Sequence, residues 1–143
     1  MSLKPRRIEA GDGPWALRSA RYGGVVVYCL DDYAFLEPEA LWIRGERTGR
    51  LVLHFDPTVP PAVRLRAGPV ANDVTLASGT WSQVVHLTPE QTIDVPLPRE
   101  ALAPAVLAIS SAAGFRPSEQ PGSAAHDVRW LGVYLSWPPL AAP

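Results

Sequence analysis

The chain has almost none of the residues from which covalently or metal-held scaffolds are built. Its single cysteine, Cys29, excludes an intramolecular disulfide and any zinc site made of several thiolates. Cys29 lies inside the apolar run VVVYCL, where a buried thiol acts as a small hydrophobe and not as a nucleophile. An excess of charge of either sign is also missing: 13 basic residues stand against 14 acidic ones, so no global field draws in a nucleic acid backbone or an anionic membrane surface. The one basic cluster, Lys4, Arg6 and Arg7, sits at the extreme N-terminus and reads as a solvated tail. No run approaches the roughly 20 apolar residues needed to cross a bilayer, and the N-terminus lacks the apolar core of a signal peptide. A periplasmic or cell-surface role therefore implies that these residues are an excised piece of a larger protein, and a cytoplasmic location follows otherwise.

Helical periodicity is absent as well. The chain holds 16 prolines and 11 glycines, and no window of helical length escapes them with a clean 3.6-residue apolar repeat. What remains between these breaks is a series of short stretches rich in Val, Leu, Ile, Trp and Tyr at even spacing, the signature of a sandwich or jelly roll. The expected architecture is all-β: an antiparallel β-sandwich, jelly-roll-like, of about nine strands. At 143 residues it is one domain, with 1–22 as an N-terminal tail or linker that has room for a first edge strand, and 23–143 as the sandwich.

The strands are placed at Gly24–Leu30, Ala40–Arg44, Arg50–Phe55, Ala62–Ala67, Val70–Leu76, Trp81–Leu87, Thr92–Leu97, Ala105–Ser111 and Val128–Trp137. The turn GERTG predicts a hairpin between the second and third of these, and TPEQ another between the sixth and seventh. The continuous apolar run of the first predicts a strand covered on both faces or nearly so, whereas Val63 and Leu65 alternate with Arg64 and Arg66, leaving one face wet. PREAL allows one helical turn starting at Pro98.

Candidate chemistry is sparse. His54 and His86 sit at strand spacing, with no carboxylate or second histidine at a recognised ligand spacing, so a structural or exposed role is the favoured reading. His126 abuts Asp127, but neighbours on a strand point to opposite faces. The acidic loop DDYAFLEPE lacks the spacing of a calcium loop. Solvated charges are the favoured reading there; Asp31 and Asp32 are the candidates should a structural calcium be held, and no other metal or cofactor is expected. There is no GxSxG elbow and no glycine-rich phosphate loop. Tryptophan is the richer signal, because sugar faces stack on aromatic rings while polar neighbours bond the hydroxyls. Trp42 alternates with Leu41 and Ile43, so one set belongs to the core and the other looks outward, and Trp81, just after the turn SGT, is the ring expected to be partly exposed.

The most informative stretch is GFRPSEQPGSAAHDVRWLGVYL, Gly114 to Leu135. It carries the longest irregular loop, and loops of that length are either functional or pinned by specific contacts. Asp127 and Arg129, two apart on an expected strand, share a face and can pair. Phe115 and Asp127, with Arg129 and Gly132, then fasten the loop to the sheet; alternatively Arg116 and Arg129 present forks to an acidic sugar or phosphate.

Phe115 to Pro117 followed by Asp127, Arg129, Leu131 and Gly132 resembles the FxP…DxRxLG ending of β-sandwich domains that accompany bacterial glycosyltransferases and other cell-envelope polysaccharide proteins. The pieces DDYAFLEPEALWIRGERTGRLVLHF and VRLRAGPVANDVTLASGTWSQVVHLTPEQTIDVPL are similar to the accessory sandwich at the end of membrane-embedded mannosyltransferase-like proteins. From about Val25 onward, the resemblance implies a soluble accessory domain whose transferase chemistry belongs to another region. The expected function is non-catalytic carbohydrate binding or an accessory role in envelope glycan synthesis, with ligand contacts from Trp42, Arg44, Trp81, Arg116 and Arg129. The expected partners are a glycan or an envelope protein, with no nucleic acid and with a membrane protein as parent or neighbour. The alternative is a structural or protein-interaction domain packing on such a partner.

Overall fold

A computed structural model describes residues 18–139. The basic cluster Lys4, Arg6 and Arg7 lies outside the described residues. In chain order the strands are β1 (Arg18–Tyr22), β2 (Val25–Cys29), β3 (Ala34–Leu36), β4 (Leu41–Arg44), β5 (Thr48–Phe55), β6 (Ala62–Ala67), β7 (Asn72–Ser78), β8 (Trp81–Leu87), β9 (Thr92–Pro96), β10 (Leu107–Ser111) and β11 (Leu131–Ser136). They form two antiparallel sheets, one of six strands in the order β1-β2-β5-β10-β7-β8 and one of five in the order β3-β4-β11-β6-β9. The protein is an all-β sandwich. Among the described residues no helix is long and apolar enough to cross a membrane.

Two short strands, β1 of five residues and β3 of three, add to the nine expected. β1 pairs with β2 as an edge strand, and β3 pairs with β4 through Phe35 opposite Trp42.

Both expected hairpins are corrected. β4 pairs with β3 and β11, while β5 pairs with β2 and β10 in the other sheet, so residues 45–47 form an arch across the sandwich. The same holds for β8 and β9. Leu41 and Ile43 of β4 and Leu51 and Leu53 of β5 are all fully buried in one core cluster. Two strands whose apolar sides face one another across a core cannot also be hydrogen-bonded neighbours in one sheet. Each arch bends at a glutamate in the left-handed region, Glu46 at φ 60° and Glu90 at φ 63°. That conformation crowds an L-residue's Cβ, so replacing exposed Glu90 with Gly is expected to raise stability by about 0.5–1 kcal/mol in urea unfolding. An unchanged or lower midpoint would contradict the strain.

Period-two alternation explains the core. Val63 and Leu65 of β6 are fully buried, Arg64 is half-buried and Arg66 exposed. β2 is covered on both faces, with Val25, Val26, Val27 and Cys29 all buried. Burial pushes the Cys29 thiol up to about 11, so at neutral pH it is a protonated, apolar group. Pro98 precedes a single 3-10 turn, Arg99–Ala101. The strand expected at Val70–Leu76 runs instead from Asn72 to Ser78, and the one expected at Ala105–Ser111 begins at Leu107.

The closing strand is likewise shorter than expected, Leu131–Ser136 and not Val128–Trp137. Residues 114–130 leave the sheet and lie over the outer face of the five-stranded sheet, where Phe115 and Leu131 bury Trp42 in a second apolar cluster with Phe35, Val70 and Tyr134 around it. Both sets of β4 side chains are therefore buried, Leu41 and Ile43 inside the sandwich and Trp42 beneath this strap.

Candidate functional site

One guanidinium joins the strap to the loop between β3 and β4. Arg129 Nε and Nη2 donate to both carboxylate oxygens of Asp127, at 3.0 Å to Oδ1 and 2.7 Å to Oδ2. The same Nη2 donates to Glu37 Oε2 at 2.7 Å, in the loop between β3 and β4. The Arg129 fork also lies over the Phe35 ring, 5.2 Å from its centroid. Asp127 and Arg129 are not on a strand, so their pairing does not come from sharing a sheet face. It comes from a tight local turn in which the Arg129 N–H also donates to Asp127 Oδ1 at 3.1 Å. Hydrogen bonds from Arg129 hold the Asp127 carboxyl below the usual carboxylate range, and the two carboxylates raise the arginine further above neutrality.

Beside this fastening the first arch and the strap enclose an open depression of about 490 Å³ lined by Arg44, Gly45, Glu46, Arg47, Arg116 and Trp130. Arg44 ends β4, and Glu46 and Arg47 follow on the arch. Arg116 and Trp130 come from the two ends of the strap. The half-buried Trp130 ring rests on backbone: a Cβ on Gly45 would stand 2.7 Å from its Cδ1, and one on Gly114 would overlap its Cε2. Only glycine at these two positions lets the indole lie flat against the arch. The Gly45 N–H donates to the Trp130 carbonyl at 2.9 Å, which ties arch to strap.

The cations at this depression differ in how far they are engaged. Arg116 stacks over Trp130 at 5.0 Å and donates from Nε to the Val128 carbonyl at 3.1 Å, with Glu119 at 3.5 Å. Arg47 lies over the Tyr33 ring at 5.6 Å and Arg44 is exposed, and neither forms an ion pair among the described residues. Among the described residues Glu46 is the one carboxylate lining the depression. Geometrically this is an anion receptor: guanidinium forks for carboxylate or phosphate oxygens, beside an indole that rests on the Gly45 and Gly114 backbone and is covered by Arg116.

The structure thus brings Arg44 and Arg116 together and places the other expected ligand contacts elsewhere. Trp42 is 8% exposed, with Phe115 edge-on at 5.6 Å and Tyr134 at 4.8 Å, so its faces are closed. Trp81 is half-buried and packs against the main core, and Arg129 is occupied by two carboxylates. Arg47 and Trp130 escaped the sequence reading. Trp130 stands in the informative segment, but on an expected strand it only alternates with Arg129; nothing local says that residues 44–47 and 114–130 meet.

The remaining candidates have structural settings. Asp31 accepts the backbone N–H groups of Tyr33 and Arg50, each at 3.0 Å, and Asp32 is exposed. Among the described residues no group of three or more His, Cys, Asp or Glu could hold a metal ion. His54, His86 and His126 are all exposed, and His86 pairs with Asp73 at 2.7 Å on the open surface.

Compared with protein-family models, curated proteins and solved structures, the chain matches none.

Proposed function

We propose that this chain is a non-catalytic carbohydrate-binding domain of a bacterial cell-envelope glycan system, and that it takes an acidic glycan in the depression formed by Arg44, Arg47, Arg116 and Trp130. One observation carries the reading: Arg44 and Arg47, without a carboxylate partner among the described residues, border the same depression as Arg116, beside an indole seated on two glycines. An acidic sugar offers its anionic group to the forks of Arg44 and Arg47 and a hydroxyl to Glu46. A volume of about 490 Å³ suits one or two sugar units. The envelope assignment is supported by the resemblance of the FxP…DxRxLG ending.

The alternative, a domain that docks on a partner through an apolar surface, calls for a broad exposed patch. Of the large apolar side chains exposed among the described residues, Val84 lies on the outer face of the six-stranded sheet and Val128 in the strap over the five-stranded one, so they do not join in one patch, which favours the glycan reading.

Isothermal titration with uronic-acid oligosaccharides and their neutral counterparts tests it. Binding of the acidic series is expected, and Arg44→Ala and Arg47→Ala should each weaken it about tenfold, the loss of one charge-assisted contact. Both side chains are exposed, so the variants should fold. A panel of acidic bacterial polysaccharides that shows no binding, or variants that bind like the parent, would sink the proposal.

A further inference from the structure

The six-stranded sheet ends on β8, and the direction of its free hydrogen-bonding groups is fixed by its neighbours. Ala112 N–H donates to the Asp73 carbonyl, so Asp73 turns its polar groups toward β10. Asn72, Val74, Leu76 and Ser78 therefore turn theirs toward β8, where they pair with Leu87, Val85, Gln83 and Trp81. That leaves Ser82, Val84 and His86 with N–H and C=O groups aimed away from the sheet, and none has a partner among the described residues. Their side chains are exposed as well, Val84 at 53%.

Free sheet edges normally carry devices that prevent pairing: proline, charge or brevity. β9 contains Pro96 and the Arg64–Asp94 ion pair, β3 has three residues before Glu37 and Pro38, and β1 carries Arg18 and Arg21. β8, WSQVVHL, has seven residues, no proline, and no Asp, Glu, Lys or Arg.

We propose that β8 pairs with β8 of a second copy of this chain, antiparallel, about a two-fold axis through Val84. The strand complements itself in that register. Val84 faces Val84, and Ser82 faces His86 on each side of the axis, so every free N–H meets a free C=O. No carboxylate or guanidinium on β8 is brought against its like. A second copy complements this strand because apolar Val84 meets apolar Val84 and the Ser82 hydroxyl meets the His86 imidazole, which can hydrogen-bond it. Among the described residues each copy has one such edge, so assembly stops at a dimer whose two six-stranded sheets form one continuous sheet. The interface is small, so dissociation is expected on the order of 10–100 μM.

Sedimentation equilibrium of the full chain up to about 1 mM tests this, being ten times the upper expected constant. A monomer–dimer equilibrium is expected, weakened at least tenfold in Val84→Lys, which sets two ammonium groups against each other across the axis. Val84→Pro, which removes the central outward N–H, should weaken it similarly; Val84→Lys serves alone if the proline variant does not fold. A chain that stays monomeric throughout, grows beyond the dimer, or dimerises unchanged in Val84→Lys would overturn the proposal.

Discussion

Replacing Arg129 with alanine lowers the stability of the domain by about 2 kcal/mol, an expected fall of roughly 6–10 °C in Tm. The substitution leaves Glu37 and Asp127 facing each other without the cation between them, and it uncovers the Phe35 ring. The magnitude lies between two limits. An exposed pair is worth at most about 1 kcal/mol, and breaking a buried one costs about 3–5. Here Arg129 keeps 33% of its side chain exposed and the two carboxylates about as much, so solvent screens part of the loss. Asp127→Ala should cost less, about 1 kcal/mol, because the arginine retains Glu37. Arg129→Lys keeps charge but not the fork, and should recover about half of the alanine loss.

The pH dependence has a definite sign. The folded-state pKa of Asp127 is depressed, so its contribution is complete above the unfolded value near 3.9 and is lost as pH falls through the lower folded value. The difference between parent and Arg129→Ala should therefore be full at neutral pH and shrink below about pH 4. Equilibrium unfolding in urea at several pH values decides it: a variant within about 0.5 kcal/mol of the parent at pH 7 would show that the strap is held by its apolar contacts and backbone hydrogen bonds without the ion pairs.

Which parts of this molecule could be read in advance follows from where the determining interactions lie. Val63, Arg64, Leu65 and Arg66 announce a half-wet strand because the signal and its cause occupy the same few residues. The arches do not announce themselves. GERTG has the composition of a hairpin turn, and the choice between turning within a sheet and crossing to the other is made by which strand lies beside β4; β11 is some ninety residues further on. Trp42 shows the same limit. Its alternation with Leu41 and Ile43 is read correctly as two opposite faces, but the outer face is wet only until residues 114–130 are laid over it. The depression is the extreme case, since Arg44 and Arg47 acquire their relation to Trp130 only when two glycines from distant segments come into register beneath the indole. The Asp127–Arg129 pair, expected from a shared strand face, forms instead within a local turn, and Glu37, 92 residues away, gives no local sign of joining it.

Gly132→Ala is expected to be more damaging still, about 3 kcal/mol or more, by a mechanism in which charge has no part. Gly132 sits where the pairing of β11 with β4 slips between Leu131 and Val133. A Cβ there would overlap Ser111 Oγ and stand 2.7 Å from Ser111 Cβ and 2.9 Å from the Ile43 carbonyl oxygen. Neither neighbour yields easily. The Ser111 hydroxyl accepts from Asn72 Nδ2 and donates to the Ala113 carbonyl, both at 2.8 Å, and Asn72 accepts the Ala113 N–H at 3.0 Å. Ser111 and Asn72 are buried, so displacing the hydroxyl strands polar groups away from water in addition to the steric cost. The Ile43 carbonyl is backbone in β4 and can move only with its strand. A double-mutant cycle isolates the clash. Ser111→Gly alone is destabilising through the lost network, but it removes the side-chain atoms that the methyl introduced by Gly132→Ala would strike, so the combined variant should be less destabilised than the sum by at least about 1 kcal/mol. Additive losses would place the cause at Ile43 and the backbone of β4; a single variant within about 1 kcal/mol of the parent would show that the two sheets can separate there at little cost.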